Sequence, residues 1–341
     1  MSSGFRVPGF GLKTKILGTA RRRLLFCLVI VLATTFLGAL PTLAQPVRIA
    51  IGAASVAHLP GWMALEGGYF SRQGLTPELI FIRGGPQTAA ALLGGDVAFA
   101  QVYSQPLVAA KLGGGDAVIV AGLINQPLFS VMVIPAVEKP QDLRGKKLGI
   151  TTFGSATDLA LRLALKHWGL KAEGDVSILQ IRGVPEILSA MQSGVIQGGT
   201  VSPPTNMMAV KAGFRELAYL PKLGISFQHT TLATTRRQIA SSRELALKVL
   251  RAYGLGIRRI KTDKPFTLKV LAKYFRTNDQ EVLEYTYNAG LPLFHEIPYP
   301  TLSGIQAMLD FLGEKDAKAR QAKPGEFVDI SLLEEIERAG L

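Results

Sequence analysis

Two arginines stand at matching places in this chain of 341 residues, and their neighbours make them candidates for gripping an anion. Arg83 lies in Ile82-Arg83-Gly84-Gly85-Pro86 and Arg182 in Ile181-Arg182-Gly183-Val184-Pro185, a spacing of 99 positions. A guanidinium is a planar fork of donors that fits a carboxylate or sulfonate bidentately. The glycine and proline that follow suit a turn into a helix, because a proline at the first helical position lacks an N–H that would have no partner there. The turn would also leave backbone N–H groups free beside the arginine, at the carboxyl edge of a sheet where open α/β sheets bind ligands. Two such turns facing one another make a clamp. The competing reading is that each arginine forms an exposed ion pair at its own rim, which contributes little.

Other candidates carry the same two-sided reading. Ser155, followed three residues later by Asp158, has the form of a capping box, and an N-cap presents the N–H groups that an anion would use. Tyr103 and Phe153 fall on loops where they either stack on a planar ligand or bury against a helix. Trp62 lies beside Met63 and Leu65 on a helical stretch and reads as core; His58 follows the first loop within reach of a cleft, but as a lone histidine it reads first as the residue opening that helix. The four histidines, His58, His167, His229 and His295, lack ligand spacing, so no metal site and no cofactor are expected.

The elements that would position these residues repeat. At the same offset Ile51 falls on Ile150, Ala91 on Ala190, Gly95 on Gly194 and Val102 on Val201, so a strand–helix–strand unit occurs twice. Strands are expected over 47–51, 79–82 and 97–100 in the first copy, with a helix over 86–93, and over 148–150 and 177–181 in the second, with a helix over 185–192. Alternation of strands with short helices argues a parallel, doubly wound arrangement in each lobe. Val118 to Ala121 and Phe129 to Ile134 are read as completing the first lobe, with the chain crossing at 134–140 and returning at 228–236 through Thr230-Thr231-Leu232-Ala233-Thr234. From Ser241 onward the apolar spacing is helical, and these helices should pack back on the first lobe. The expected organisation is a leader over 1–44, lobe one over 45–137, lobe two over 138–232, and completion of lobe one with the C-terminal helices over 233–341.

Residues 1–44 hold Arg6, Lys13, Lys15, Arg21, Arg22 and Arg23 and no acid, then an apolar run from Leu24 to Leu40 and Thr42-Leu43-Ala44. That order reads as an export signal cut before Gln45, with an uncleaved anchor as the alternative. The consecutive arginines permit either general or twin-arginine export. Setting the six leader cations aside, 38 − 6 = 32 basic residues face 25 acidic ones. They are dispersed, without the basic runs and interleaved aromatics of a nucleic-acid groove, so no nucleic-acid partner is expected. Cys27, the single cysteine, lies in the leader, which leaves no thiol nucleophile after cleavage.

Leu59-Pro60-Gly61-Trp62-Met63-Ala64-Leu65-Glu66-Gly67-Gly68-Tyr69-Phe70 with Gly74-Leu75 resembles the opening of periplasmic substrate-binding proteins of the sulfonate, nitrate and taurine type. These share a superfamily with the thiamine-pyrimidine precursor proteins. Gly94-Gly95-Asp96-Val97, Leu143-Arg144-Gly145-Lys146-Lys147-Leu148-Gly149-Ile150, Gly154-Ser155 and Leu291-Pro292-Leu293-Phe294 extend the likeness over about residues 47–313. The resemblance implies a type II periplasmic binding protein fold: α/β, two lobes, each a mostly parallel sheet flanked by helices, hinged by two crossings. It implies a monomeric, non-enzymatic protein in the periplasm that hands a small molecule to an ABC permease and ATPase. The ligand would be a sulfonate, a carboxylate, a nitrate-like anion or a small heteroaromatic. It places ligand contacts at Ala54 and Ser55, at Arg83 and Gly84, at Gln101, Tyr103 and Ser104, at Phe153, Gly154, Ser155, Ala156 and Thr157, and near Arg182 and Ser202. The family often has Asp where this chain has Ala98 and Gln197. Two alternatives remain: an exported sensor, and an enzyme on the same scaffold of the desulfinase or pyrimidine-synthase kind, whose cysteine or histidine–cysteine chemistry this chain lacks.

Overall fold

The structure is a computed structural model that describes residues 46–52 and 55–340. The leader, its cleavage site before Gln45, Cys27 and Ala54 lie outside the described residues. Among the described residues no helix is long and apolar enough to cross a membrane.

The chain builds two five-stranded sheets. The first is entered by β1 (Val47–Ile51), β2 (Pro77–Phe81), β3 (Phe99–Tyr103) and β4 (Ala117–Ile124). The second holds β5 (Ser130–Val133), β6 (Lys147–Ile150), β7 (Ser177–Gln180), β8 (Gly198–Val201) and β9 (Arg215–Tyr219), after which β10 (Thr230–Thr235) returns to the first. The orders are β2-β1-β3-β10-β4 and β7-β6-β8-β5-β9. In the first sheet β1 lies parallel between β2 and β3, with Ile49 opposite Leu79 on one side and Phe99 on the other. The second sheet repeats this, with Leu148 opposite Ile178 and Gly198. β10 and β5 are the antiparallel members, so four strands of each sheet share one direction. Both faces of β3 and of the edge strand β4 are covered: all five residues of the first and all eight of the second are buried.

One expectation is overturned. The run Phe129 to Ile134, read as the end of the first lobe, supplies β5, which pairs with β8 and β9 of the second sheet. The crossing therefore falls over 125–129, not 134–140, and the return falls between Tyr219 and Thr230, with Thr230–Thr235 already a strand of the first sheet. An apolar strand carries its propensity in its own residues, but the sheet it joins is settled by partners far away in sequence.

Helices cover both faces. In chain order they are α1 (Leu59–Glu66), α2 (Tyr69–Arg72), α3 (Gly85–Gly94), α4 (Ser104–Leu112), α5 (Ala156–His167), α6 (Val184–Gln192) and α7 (Thr205–Lys211). They continue with α8 (Arg236–Ser241), α9 (Arg243–Thr262), α10 (Lys264–Phe275), α11 (Gln280–Gly290), α12 (Leu302–Gly313), α13 (Ala317–Gln321) and α14 (Ser331–Arg338). As expected, α9 and its successors return to the first sheet. Leu247, Leu250, Tyr253, Ile257 and Ile260 recur at helical spacing on α9 and enter the core that also holds Ile49, Met63 and Phe70. The crossing of α9 over α1 is close enough to demand glycine: a Cβ on Gly256 would lie 2.9 Å from the backbone nitrogen of Ala64. A second core runs from the other face of the first sheet, through Tyr103, Phe129 and Phe227, to Leu159 and Leu165 of α5 on the second sheet. A third, around Met132, Ile187 and Ile196, backs the second sheet.

Candidate functional site

The carboxyl ends of the strands in both sheets face one cleft of about 190 Å³. One wall comes from the first sheet: Ser55, Ala57 and His58 after β1, Arg83, Gly84 and Gly85 after β2, Val102 and Tyr103 at the end of β3, and His229 and Thr230 where β10 begins. The opposite wall comes from the second sheet: Thr151, Ser155, Ala156 and Thr157 from the turn after β6 into the first turn of α5, Arg182 to Glu186 from the turn after β7 into the first turn of α6, and Ser202 after β8. Phe129, from the crossing, closes the floor.

Contacts join the two walls. The hydroxyls of Ser55 and Ser202 are 3.2 Å apart, and Arg83 Nη1 donates to Glu186 Oε1 at 3.3 Å. Arg83 and Glu186 are each about half exposed, with 59% and 45% of the side chain open, so water screens the pair heavily. Arg83 thus belongs to a cross-cleft ion pair rather than to its own rim. Arg182 is exposed at the mouth and has no ion-pair partner among the described residues. The two Ile-Arg-Gly turns also differ in backbone. In the first, Gly84 takes the positive φ of 96°; in the second, Arg182 itself takes a φ of 82° and holds its N–H on the Thr151 carbonyl at 2.7 Å. A side chain at such a φ is strained, which glycine is not.

The capping box expected at Ser155 and Asp158 does not form. Ser155 occupies the N-cap of α5 without capping it by its side chain. Its hydroxyl meets those of Thr151 at 2.8 Å and Thr157 at 3.0 Å, giving a cluster of three on the cleft wall. Asp158 instead accepts the Gly154 N–H and is held by Arg162 at 2.6 Å. The first turn of α5 therefore faces the cleft region with N–H groups that no side chain at its N-cap covers.

Away from Arg83 at the mouth, the first wall is aromatic and electrically neutral. The His229 ring lies 4.9 Å from Phe129 and 5.8 Å from Tyr103, centroid to centroid. Burial pushes the His58 imidazole down to about 4, against the lesser pull of its bond to the Gln101 carbonyl. Burial, with His58 nearby, pushes His229 down to about 3. The Tyr103 phenol is raised well above its ordinary value by burial and by the Asp158 charge. All three are therefore uncharged near neutrality, and His58 Nδ1, His229 Nε2 and the Tyr103 hydroxyl are buried without hydrogen-bond partners among the described residues.

Of the residues expected in the site, Ser55, Arg83, Gly84, Tyr103, Ser155, Ala156, Arg182 and Ser202 line the cleft. Four do not. Gln101 turns into the core, donating to Ala57 O at 3.1 Å and accepting from the Tyr253 hydroxyl at 3.1 Å. Ser104 begins α4 and donates inward to the Gln228 carbonyl. Phe153 is 49% exposed on the outer side of its loop, and Gly154, at φ 74°, serves the turn that ties the loop to Asp158. Alternation along β3 does not explain the first two, since Val102 and Tyr103 are consecutive; Gln101 is drawn inward by its bonds to Ala57 and Tyr253, and Ser104 by its bond to Gln228. Thr157, at the end of the 153–157 loop that the resemblance marks, lines the cleft, and His58 is more than a helix opener. Cleft residues that the sequence reading does not name include Thr151, Glu186, Phe129 and His229. Thr151 is signalled by its closeness to Ser155; Phe129 and His229 arrive through the two crossings, which no local pattern marks.

A family model described as NMT1/THI5 like matches residues 55–263. The taurine-binding periplasmic protein of Escherichia coli strain K12 is 31% identical over 176 residues, 47% of this chain and 50% of that protein. The chain thus aligns with about half the length of this curated relative. Among solved structures, a protein of Bordetella bronchiseptica RB50 superposes with a TM-score of 0.77 at 19% identity, over 86% of this chain and 97% of that one. The alkanesulfonate-binding protein SsuA of Xanthomonas axonopodis pv. citri, bound to MOPS, gives 0.68 at 18% identity, over 84% and 100%. The periplasmic nitrate-binding protein NrtA of Synechocystis PCC 6803 gives 0.69 at 13% identity, over 87% and 89%. The shared architecture is the two-lobed α/β periplasmic binding protein fold, as the sequence resemblance implies.

Proposed function

The chain belongs to the NMT1/THI5-like family, and from that premise we propose that it is an exported solute-binding protein of an ABC importer. It captures a small organic solute between its lobes and presents the closed form to a permease whose ATPase drives transport. The observation that carries this reading is that the cleft is made by two different sheets and bridged by Ser55–Ser202 and Arg83–Glu186. Because its shape depends on the separation of the lobes, a solute touching both walls stabilises the closed form by its differential affinity for it. The hinges are 125–129 and 220–229, the two segments that join the sheets. The names of the relatives, which speak of taurine, alkanesulfonate and nitrate, support an importer role. A periplasmic address and removal of residues 1–44 are part of the same reading. The protein works as a monomer and is not an enzyme: the cleft presents neutral imidazoles and hydroxyls, and the only cysteine of the chain is Cys27 of the leader.

The test is a thermal-shift screen of residues 45–341 against taurine, alkyl and aryl sulfonates, carboxylates and nitrate, followed by small-angle scattering with any compound that stabilises the fold. The expected result is one chemical series that raises the melting temperature and lowers the radius of gyration. A stabilising ligand that leaves the radius of gyration unchanged would sink the closure mechanism.

A further inference from the structure

We infer that His58 selects the solute, accepting a hydrogen bond from an N–H or O–H group that the solute carries on a flat, largely apolar body. The inference rests on the solute-binding reading above and narrows it to a ligand chemistry. His58 is buried in the cleft wall, and its Nε2 lies 3.1 Å from the backbone carbonyl of Gln101. A carbonyl only accepts, so Nε2 carries the proton. Burial keeps the ring neutral near pH 7, which leaves Nδ1 as a bare acceptor. Nδ1 has no partner among the described residues, and an orphaned buried acceptor is costly enough to reward a ligand that satisfies it.

Two further observations set the rest of the ligand. Tyr103, Phe129 and His229 make one aromatic surface in the same wall, with the His229 ring 4.9 Å and 5.8 Å from its neighbours. Such a surface suits a planar body stacked or edge-on. Among the described residues the cations of the cleft sit at its exposed mouth, Arg83 tied to Glu186 and Arg182 without an ion-pair partner, while both imidazoles inside are neutral. A compact inorganic anion would find no buried charge to meet it. An acidic group on the solute has a place opposite, at the hydroxyls of Thr151, Ser155 and Thr157 around the start of α5.

Isothermal titration of residues 45–341 with matched probes tests this: para- and meta-hydroxybenzoate against benzoate, para-aminobenzenesulfonate against benzenesulfonate, and nitrate. The donor-bearing member of a pair should bind about tenfold more tightly in the unaltered protein, the effect of one satisfied buried acceptor. His58→Gln keeps a donor for the Gln101 carbonyl but places no acceptor at Nδ1, and should bring the ratio close to one. His58→Asn, whose amide oxygen falls near Nδ1, should restore part of it. A structural defect would weaken both members of a pair and leave their ratio intact, which separates it from lost recognition. The inference is overturned by a ratio near one in the unaltered protein, by nitrate outcompeting the aromatic acids, or by no binding of any probe at millimolar concentration. If no probe binds but native mass spectrometry finds a small molecule released from the folded chain, the solute-binding reading survives and only the role of His58 falls. If neither is seen, both fall.

Discussion

Lowering the pH from 6.5 to 5.0 should destabilise this protein through two side chains. His58 and His229 are fully buried, with their imidazoles pushed down to about 4 and about 3, whereas the unfolded chain titrates them near 6.5. Below pH 6.5 the unfolded chain binds protons that the folded cleft refuses, so the contribution is complete above 6.5 and is lost as pH falls toward the folded values. Each depressed group contributes a slope of up to about 1.4 kcal/mol per pH unit. Over the interval from 6.5 to 5.0 that amounts to about 2 kcal/mol for one histidine and on the order of 4 kcal/mol for both. These are upper values, since opening of the cleft lets water reach the rings before the chain unfolds. The interval is well chosen because the carboxylates with lowered pKa, among them Asp142, Asp263, Asp279 and Glu173, contribute stability that is lost only at lower pH. The assay is urea unfolding of residues 45–341 at closely spaced pH values, for the unaltered protein and for His58→Gln, His229→Gln and the double variant. Each single change should remove about half of the slope and the double change nearly all of it. A flat profile between pH 6.5 and 5.0, or ring resonances titrating near 6.5 in the folded protein by NMR, would refute the burial argument.

Two other expectations concern the arginines. A double-mutant cycle with Arg83→Ala and Glu186→Ala should give a coupling energy below about 1 kcal/mol in unliganded stability, because the pair is half exposed, and should vanish in high salt; a coupling above about 2 kcal/mol in urea unfolding would contradict that. Arg182→Gly should raise stability by about 0.5–1 kcal/mol, since φ 82° strains an arginine and not a glycine. Thermal unfolding checks the sign, and a fall in melting temperature would show that the arginine side chain makes compensating contacts.

Much of the architecture is written in local pattern. The 99-residue offset between Ile82-Arg83-Gly84 and Ile181-Arg182-Gly183 reappears as two sheets that begin β2-β1-β3 and β7-β6-β8, because a strand, its turn and its helix depend on contiguous residues. The position of the cleft follows from the same units, since the turns after their strands all lie at one edge. The allocation of β5 to the second sheet has no local signature: Ser130 to Val133 is apolar enough for either sheet, and its hydrogen-bond partners lie about 70 and 90 residues further along. Side-chain direction at the site was equally non-local. Gln101 and Ser104 flank two cleft residues and are drawn inward by Tyr253 and Gln228, which come from distant parts of the chain. Arg83 acquires its partner only when Glu186 of the other lobe faces it. His229 enters the cleft because the return segment passes between the sheets, and its neutrality comes from burial, a property of the assembled fold and not of any run of residues.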